Sequence, residues 1–258
     1  MVLLAYRRAV LSGDELRRFG ADGYLVLPGV VPEHLLAAVD DEIDELIASD
    51  PPPAGTVGKH FWFLPPAELP AADAAFRQSG ALAVAQELVF PLELGYAFDH
   101  IQIALNYPPQ AHRPSGPHLD GHGPGQDPPH SFTMLAGVFL VDEQERQSGN
   151  IWVWPGSHLD HQRLFRERGT RALLPVRGHA TMLDPPLELS EQAPVMAHRG
   201  DLLLAHFLLG HNTGGNTTDR VRRIAYYRLR CEGHRQRWEQ TFLDAFSEYA
   251  PVRRTATT

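Results

Sequence analysis

The sequence has one cysteine, Cys231, among 258 residues, so no internal disulfide can form and nothing marks an oxidising compartment. It has no long apolar run either. The longest, Leu202 to Leu209, is interrupted by His206 and falls well short of the roughly 20 residues that a membrane-spanning helix needs. Positive charge is scarce: 23 Lys and Arg stand against 31 Asp and Glu, a formal net charge of −8. Such a surface repels phosphate backbones and anionic lipid, which excludes nucleic-acid or membrane partners unless a local basic patch intervenes. The start, Met1-Val-Leu-Leu-Ala-Tyr-Arg7-Arg8, places its arginines after a short apolar stretch, the reverse of a secretory leader. These shortages together lead us to expect a soluble, cytoplasmic protein.

What the chain does have is turn-forming residues and histidine. Gly and Pro number 22 each, which favours many short elements over a helical bundle, and there are 14 histidines, the commonest metal-ligating residue. Ser12-Gly-Asp-Glu15 has the form of a capping box, opening a short helix that ends near Gly20 or Gly23. Tyr24–Leu27 reads as a strand closed by Pro28-Gly29. Leu35, Leu36, Val39, Ile43, Leu46 and Ile47 then recur at helical spacing, until Asp50 and three prolines stop the helix. A loop holding His60-Phe-Trp-Phe-Leu64 follows, then a helix from about Gly80 to Phe90.

Beyond residue 97 the period becomes that of a strand. Phe98, His100, Gln102, Ala104 and Asn106 alternate with Asp99, Ile101, Ile103, Leu105 and Tyr107. Further strands are expected at Phe132–Val141, Asn150–Trp154, Pro194–Ala197, Asp201–Phe207 and Val221–Cys231. Short strands punctuated by Gly, Pro, Asn and Asp predict a sandwich or jelly roll. With helices gathered at the front, a doubly wound sheet is disfavoured. No boundary splits the chain, so residues 1–258 are expected to form one domain, mainly helical over 1–95 and a jelly-roll core over 96–235.

The sharpest chemical feature is Pro117-His118-Leu-Asp120. In extended backbone, residues two apart share a face, so one imidazole and one carboxylate can converge on a single ion. Gly210-His211-Asn-Thr213 is the best source of a third ligand, with His206 as its competitor. Two neutral nitrogens and a carboxylate form the facial triad that holds non-haem Fe(II) and leaves positions open. The second feature is Arg222, eleven residues after His211. Alternation sets Arg222, Ile224, Tyr226, Arg228 and Arg230 on one strand face. A guanidinium there suits a bidentate grip on a carboxylate, although arginines also blunt exposed edge strands.

Taken together these features resemble the phytanoyl-CoA dioxygenase family, a branch of the Fe(II)/2-oxoglutarate oxygenases that includes ectoine hydroxylase-like enzymes. The resemblance runs along nearly the whole chain. It takes in Leu11 to Pro28, Gln102 to Tyr107, His118-Leu-Asp120, the segment Ser148-Gly-Asn-Ile-Trp-Val-Trp-Pro-Gly-Ser-His158, Arg199 to His206, His211 to Asn216, and Arg222. It implies a double-stranded β-helix (jelly-roll, cupin-like) core with N-terminal helices packed outside. It implies that His118, Asp120 and His211 ligate iron. It also implies that Arg222 holds the distal carboxylate of 2-oxoglutarate with help from Thr213, and that Gln102 and Asn106 lie beside cosubstrate or substrate. Relatives often show Gly-Ser where this chain has Asn212-Thr213. The implied reaction consumes O2 and 2-oxoglutarate, releases succinate and carbon dioxide, and hydroxylates a small organic molecule. A carboxylate at Asp120 points away from halogenation. A composition rich in Ala, Arg and Pro hints at bacterial secondary metabolism.

Other residues carry plainer expectations. His122, beside Gly121, Gly123 and Pro124, is not in a helix that could pair it with His118, and we expect no ligand role. His206 and His158 are expected to be structural. The loop 121–130 is as well suited to a lid as to a connector. Phe61, Trp62, Phe63, Trp152 and Trp154 are candidates for an apolar pocket, and Cys231 for a small buried hydrophobe. Two rival readings remain: a cupin-type iron dioxygenase without a keto acid, which would not need Arg222, and a non-catalytic jelly-roll binding module.

Overall fold

Ser12 does open the first helix. Its hydroxyl accepts from the Glu15 N–H while the Glu15 carboxylate accepts from the Ser12 N–H, and Gly23, with φ of 80°, closes the far end in the left-handed conformation. The structure, a computed structural model, describes residues 11–121, 128–172 and 187–255. His122 and most of the 121–130 loop lie outside these residues, as does the N-terminal segment before Leu11. The elements in order are α1 (Gly13–Asp22), β1 (Tyr24–Leu27), α2 (Glu33–Ser49), β2 (Gly58–Leu64), α3 (Pro70–Gln78), α4 (Ala81–Val89), β3 (Leu94–Tyr96), β4 (Ile101–Tyr107) and β5 (Met134–Phe139). They continue with β6 (Ile151–Val153), α5 (Ser157–Arg168), β7 (Ala193–Pro194), β8 (Leu202–His206), β9 (His211–Thr213), β10 (Arg222–Cys231), α6 (His234–Leu243) and α7 (Ala250–Thr255).

Two antiparallel sheets face each other. The larger runs β1-β8-β5-β10-β4-β2, with β3 also paired to β10, and the smaller runs β7-β6-β9. The period-two pattern of the large-sheet strands sorts their side chains into two cores. Ile101, Ile103 and Leu105 of β4, with Ala225, Tyr227 and Leu229 of β10, pack against the helices outside. Ala104, Leu135, Leu203, Ile224 and Tyr226 face inward toward the small sheet. This is the expected jelly roll with helices packed on its outer face, and it explains strands that are buried on both sides. Phe76 stacks on Tyr227 at 4.2 Å, tying α3 to the sheet, and the Tyr227 hydroxyl donates to the Ala72 carbonyl at 2.8 Å.

Three features depart from expectation. The His60–Leu64 stretch is not a loop but part of β2, which pairs with β4 along its whole length. Its flanking prolines and glycines hid an ordinary alternation, in which Trp62 turns into the core while Phe61 and Phe63 stay exposed. Helices are also not confined to the front, since α5, α6 and α7 follow the first jelly-roll strands. Finally, the first 95 residues supply β1 and β2 to the large sheet as well as helices.

Ile103 lies in the middle of β4, between β10 and β2, and is fully buried. Ile103→Ala is expected to destabilise the fold by about 2–5 kcal/mol, read as a lower midpoint in urea denaturation with an unchanged slope.

Candidate metal centre

His118 and His211 are far apart in sequence and are brought together by backbone pairing. The His118 N–H donates to the His211 carbonyl at 2.9 Å and the His211 N–H returns the bond at 3.2 Å, an isolated antiparallel bridge that extends the small sheet. Residues exchanging both bonds present their side chains on one face, and the two imidazoles accordingly sit with centroids 4.4 Å apart. Asp120, two residues on from His118, joins them. Its Oδ1 lies 3.5 Å from His118 Nε2 and 3.8 Å from His211 Nε2. All three candidate ligand atoms lie within 4.8 Å of one another.

The surrounding groups prepare this set for a cation. His211 Nδ1 faces the Leu209 carbonyl at 3.1 Å, which makes it the protonated nitrogen and leaves the lone pair on Nε2. Burial, with His118 beside it, lowers the His211 pKa to about 4, so the ring is neutral at neutral pH. Burial would raise the Asp120 carboxyl, but the Arg228 guanidinium and the two imidazoles outweigh it and hold the group well below its ordinary value. Arg228 donates to Asp120 Oδ2 twice, from Nε at 2.9 Å and from Nη2 at 2.6 Å. One carboxylate oxygen is thereby occupied while the other faces the histidines. The two nitrogen–oxygen distances of 3.5 and 3.8 Å are those of donors converging without touching, which leaves room for an ion between them. Two imidazoles and one carboxylate suit Fe(II), and the residues present fit that ion.

The triad opens on a cavity of about 190 Å³ whose wall includes Gln102, Thr213, Tyr226, Arg228, Lys59, Phe61 and Phe63. Its large-sheet wall follows register. Phe63, Gln102 and Tyr226 lie opposite one another across β2, β4 and β10, and Phe61, Ala104 and Ile224 form the next row. Gly137 of β5 lies close under this wall, where a Cβ would stand 3.0 Å from the Tyr226 ring and press on it. A larger cavity of about 370 Å³, bordered by Phe98, Arg230 and Trp238, includes none of the triad residues.

Arg222 and Asn106 are cross-strand partners set behind this wall. Arg222 is almost wholly buried; its Nε donates to Glu143 Oε1 at 2.7 Å and its Nη2 to the Tyr226 hydroxyl at 2.8 Å. Gly149, with φ of 85°, makes room for it, since a Cβ there would stand 2.8 Å from Arg222 Cβ. Burial would lower the guanidinium pKa, but Glu143 and Tyr226 push it up. Asn106 Nδ2 donates to the Gly214 carbonyl at 2.9 Å, and its Oδ1 is buried without a partner among the described residues. Of the residues singled out from sequence, His118, Asp120, His211, Thr213 and Gln102 therefore line one cavity, while Arg222 reaches it through Tyr226.

The remaining candidates lie elsewhere. His206 Nε2 faces the Ala245 carbonyl at 2.8 Å and Nδ1 accepts from the Leu208 N–H, which leaves it no lone pair for a metal. His158 is buried in α5, with Nε2 at 3.2 Å from the Gly20 carbonyl. Trp62, Trp152, Trp154 and Cys231 are buried core residues, so of the five aromatic candidates only Phe61 and Phe63 reach the cavity. Sequence reasoning missed the role of Arg228 and Tyr226, although alternation had placed both on the face of Arg222. Glu143 gave no signal, since only the fold brings it to Arg222 from a loop after β5.

The profile of the phytanoyl-CoA dioxygenase (PhyH) family matches residues 19–224. The chain belongs to this family. No curated protein matches it in sequence. Among solved structures, the epimerase SnoN, in complex with Fe3+, alpha-ketoglutarate and nogalamycin RO, matches with a TM-score of 0.62 at 21% identity, over 83% of this chain and 81% of SnoN. HygX from Streptomyces hygroscopicus, with nickel and 2-oxoglutarate bound, gives 0.60 at 21% identity over 87% and 89% of the two chains. The carbocyclase SnoK from nogalamycin biosynthesis gives 0.59 at 18% identity over 85% and 84%. At these identities the likeness is one of fold. PhyH membership and the two-histidine, one-carboxylate cluster together identify an Fe(II)- and 2-oxoglutarate-dependent oxygenase.

The buried Arg222–Glu143 pair makes a stability prediction. Glu143→Ala leaves a guanidinium in the core without its counter-charge and is expected to destabilise the protein by about 3–5 kcal/mol in urea denaturation. Combining Glu143→Leu with Arg222→Met is expected to recover most of that loss.

Proposed function

We propose that the protein hydroxylates an unactivated C–H bond of a small organic molecule, with His118, Asp120 and His211 holding Fe(II) and with 2-oxoglutarate as cosubstrate. The observation that carries this reading is the convergence of two Nε2 atoms and one carboxylate oxygen on a cavity walled by Thr213, Gln102 and Tyr226. Bound iron supplies the oxidising chemistry, coupling decarboxylation of 2-oxoglutarate by O2 to oxidation of the substrate.

The chain's own residues arrange that chemistry. The bridge between His118 and His211 fixes the angle between the rings, and the Leu209 carbonyl fixes the tautomer of His211. Arg228 occupies Asp120 Oδ2, so the carboxylate would offer the ion its other oxygen alone. Arg222 spends Nε on Glu143 and Nη2 on Tyr226, which leaves Nη1 and the Tyr226 hydroxyl to meet the distal carboxylate of 2-oxoglutarate, with the Thr213 hydroxyl beside them. Gln102, adjacent to Tyr226 across the sheet, offers an amide to cosubstrate or substrate. Asn106 holds the Gly214 backbone beside β9 and so positions Thr213 rather than touching the ligand. Asp120 retains its carboxylate, which favours hydroxylation over halogenation. A cupin-type dioxygenase without a keto acid gives no use for a buried arginine directed at the cavity wall through Tyr226, and a binding module gives none for the prepared triad.

Anaerobic titration with Fe(II) and then 2-oxoglutarate tests this. A visible charge-transfer band of the chelate is expected, and under air succinate should form only when 2-oxoglutarate is present. His118→Ala should weaken metal binding by more than about 100-fold, the upper range seen when a mere supporting partner of a ligand is lost. Arg222→Ala should weaken 2-oxoglutarate binding while leaving the metal bound. A band that never forms, or one that survives Arg222→Ala with unaltered 2-oxoglutarate affinity, would sink the assignment.

A further inference from the structure

Strand β10 carries more positive charge than iron and 2-oxoglutarate use. Its inward-facing side chains run from Arg222, through Tyr226 and Arg228 beside the metal triad, to Arg230 near the strand's far end. Arg222 meets Glu143 and Arg228 meets Asp120. Arg230 instead lines the cavity of about 370 Å³, together with Arg235 of α6. Neither of these two guanidinium groups forms a hydrogen bond or an ion pair among the described residues. Burial and the neighbouring Arg235 lower the Arg230 pKa, the mark of a repulsion that nothing relieves. In a chain with a net charge of −8, two arginines sharing one recess without a single acid cost free energy until an anion enters.

Aromatic rings link this recess to the metal site. Phe98, on its wall, stacks on His100 at 5.5 Å with the planes 7° apart. His100 meets Phe63 edge-on at 5.2 Å, and Phe63 lines the triad cavity. Arg230 stands two residues beyond Arg228, about 7 Å along the strand. A ligand with its acid at Arg230 and its body along these rings therefore approaches the triad from the end of β10 remote from Arg222. Size agrees with that division. The triad cavity, at about 190 Å³, leaves little space once 2-oxoglutarate is inside, whereas 370 Å³ falls within the roughly 300–1,000 Å³ typical of ligand sites.

We propose, resting on the oxygenase reading above, that the molecule oxidised is a phosphate monoester, its phosphate held by Arg230 and Arg235 and its carbon skeleton lying along Phe98 toward the triad. Two uncompensated cations match a group that carries close to two negative charges at neutral pH. Three phosphate oxygens can take a guanidinium fork from each arginine, whereas a carboxylate is filled by one fork. Trp238, set edge-on to Phe242 at 5.2 Å, gives the same recess an apolar side for the skeleton. The phosphate takes no part in the oxidation. It is a handle that fixes which carbon, about 7 Å or more away, is presented to the metal.

The test uses Ni(II)-loaded protein with saturating 2-oxoglutarate and three probes of similar shape: 2-naphthyl phosphate, 2-naphthoate and 2-naphthol. Binding is read by isothermal titration. The phosphate should bind about tenfold more tightly than the naphthoate and about 100-fold more tightly than the naphthol. Replacing both arginines, Arg230→Gln with Arg235→Gln, should abolish that order while changing 2-oxoglutarate affinity less than twofold. In the anaerobic Fe(II) and 2-oxoglutarate complex, 2-naphthyl phosphate should shift the charge-transfer band of the wild type and leave that of the double variant unmoved. Equal binding of the three probes, or no binding of the phosphate at millimolar concentration, overturns the proposal. So does a wild-type band that ignores bound 2-naphthyl phosphate, since the recess would then be separate from the metal site. A double variant that loses 2-oxoglutarate affinity instead also overturns it, because the arginines would then serve the cosubstrate. If the band forms and the probe order fails, only the substrate class falls; if no band forms, the oxygenase reading falls with it.

Discussion

The centre rests on a pair of backbone hydrogen bonds. Reciprocal N–H to carbonyl bonding between His118 and His211 forces two imidazoles from distant parts of the chain onto one face, and the i to i+2 geometry of the His118 segment delivers Asp120 to the same point. No side-chain interaction has to assemble the triad, because the small sheet does so as it closes on the large one. The candidate ligands are thus positioned by the backbone, and the surrounding polar groups only have to set tautomer and charge.

Those polar groups come largely from one strand. β10 is paired on both sides, to β4 and β5, and near its end to β3 as well. Its inward face carries Arg222, Tyr226 and Arg228 in one line. Arg222 is balanced by Glu143 and Arg228 by Asp120, so each buried cation meets a carboxylate at short range. Isolated, either guanidinium would be very costly to bury; paired, each becomes a fixed donor fork. The outward face of the same strand, with Ala225, Tyr227 and Leu229, belongs to the apolar core beneath the helices.

Much of this was legible in the sequence. The capping box at Ser12, the alternation of β4 and β10, and the His118-x-Asp120 spacing each express a local rule that the fold then honours. The β2 stretch was misread because Gly and Pro on both sides carry a strong loop signal, while its own alternation spans few residues. The contact between Arg222 and Glu143 left no trace in spacing, since it depends on how a loop after β5 folds back over the small sheet. Likewise, Arg228 stood in plain view as a possible edge-strand arginine, and only its distance to Asp120 distinguishes it from one. What the sequence conveys well is periodicity within an element; what it conveys poorly is which loop residue meets which strand.

The position of β2 at the margin of the large sheet has an evolutionary consequence. Strand β10, locked between neighbours, can change little without loss of the whole architecture, whereas a border strand with a single pairing partner can accept new side chains cheaply. A hub strand paired on both sides and a border strand paired on one let a scaffold of this kind change its cavity lining at the periphery with little strain on the interior.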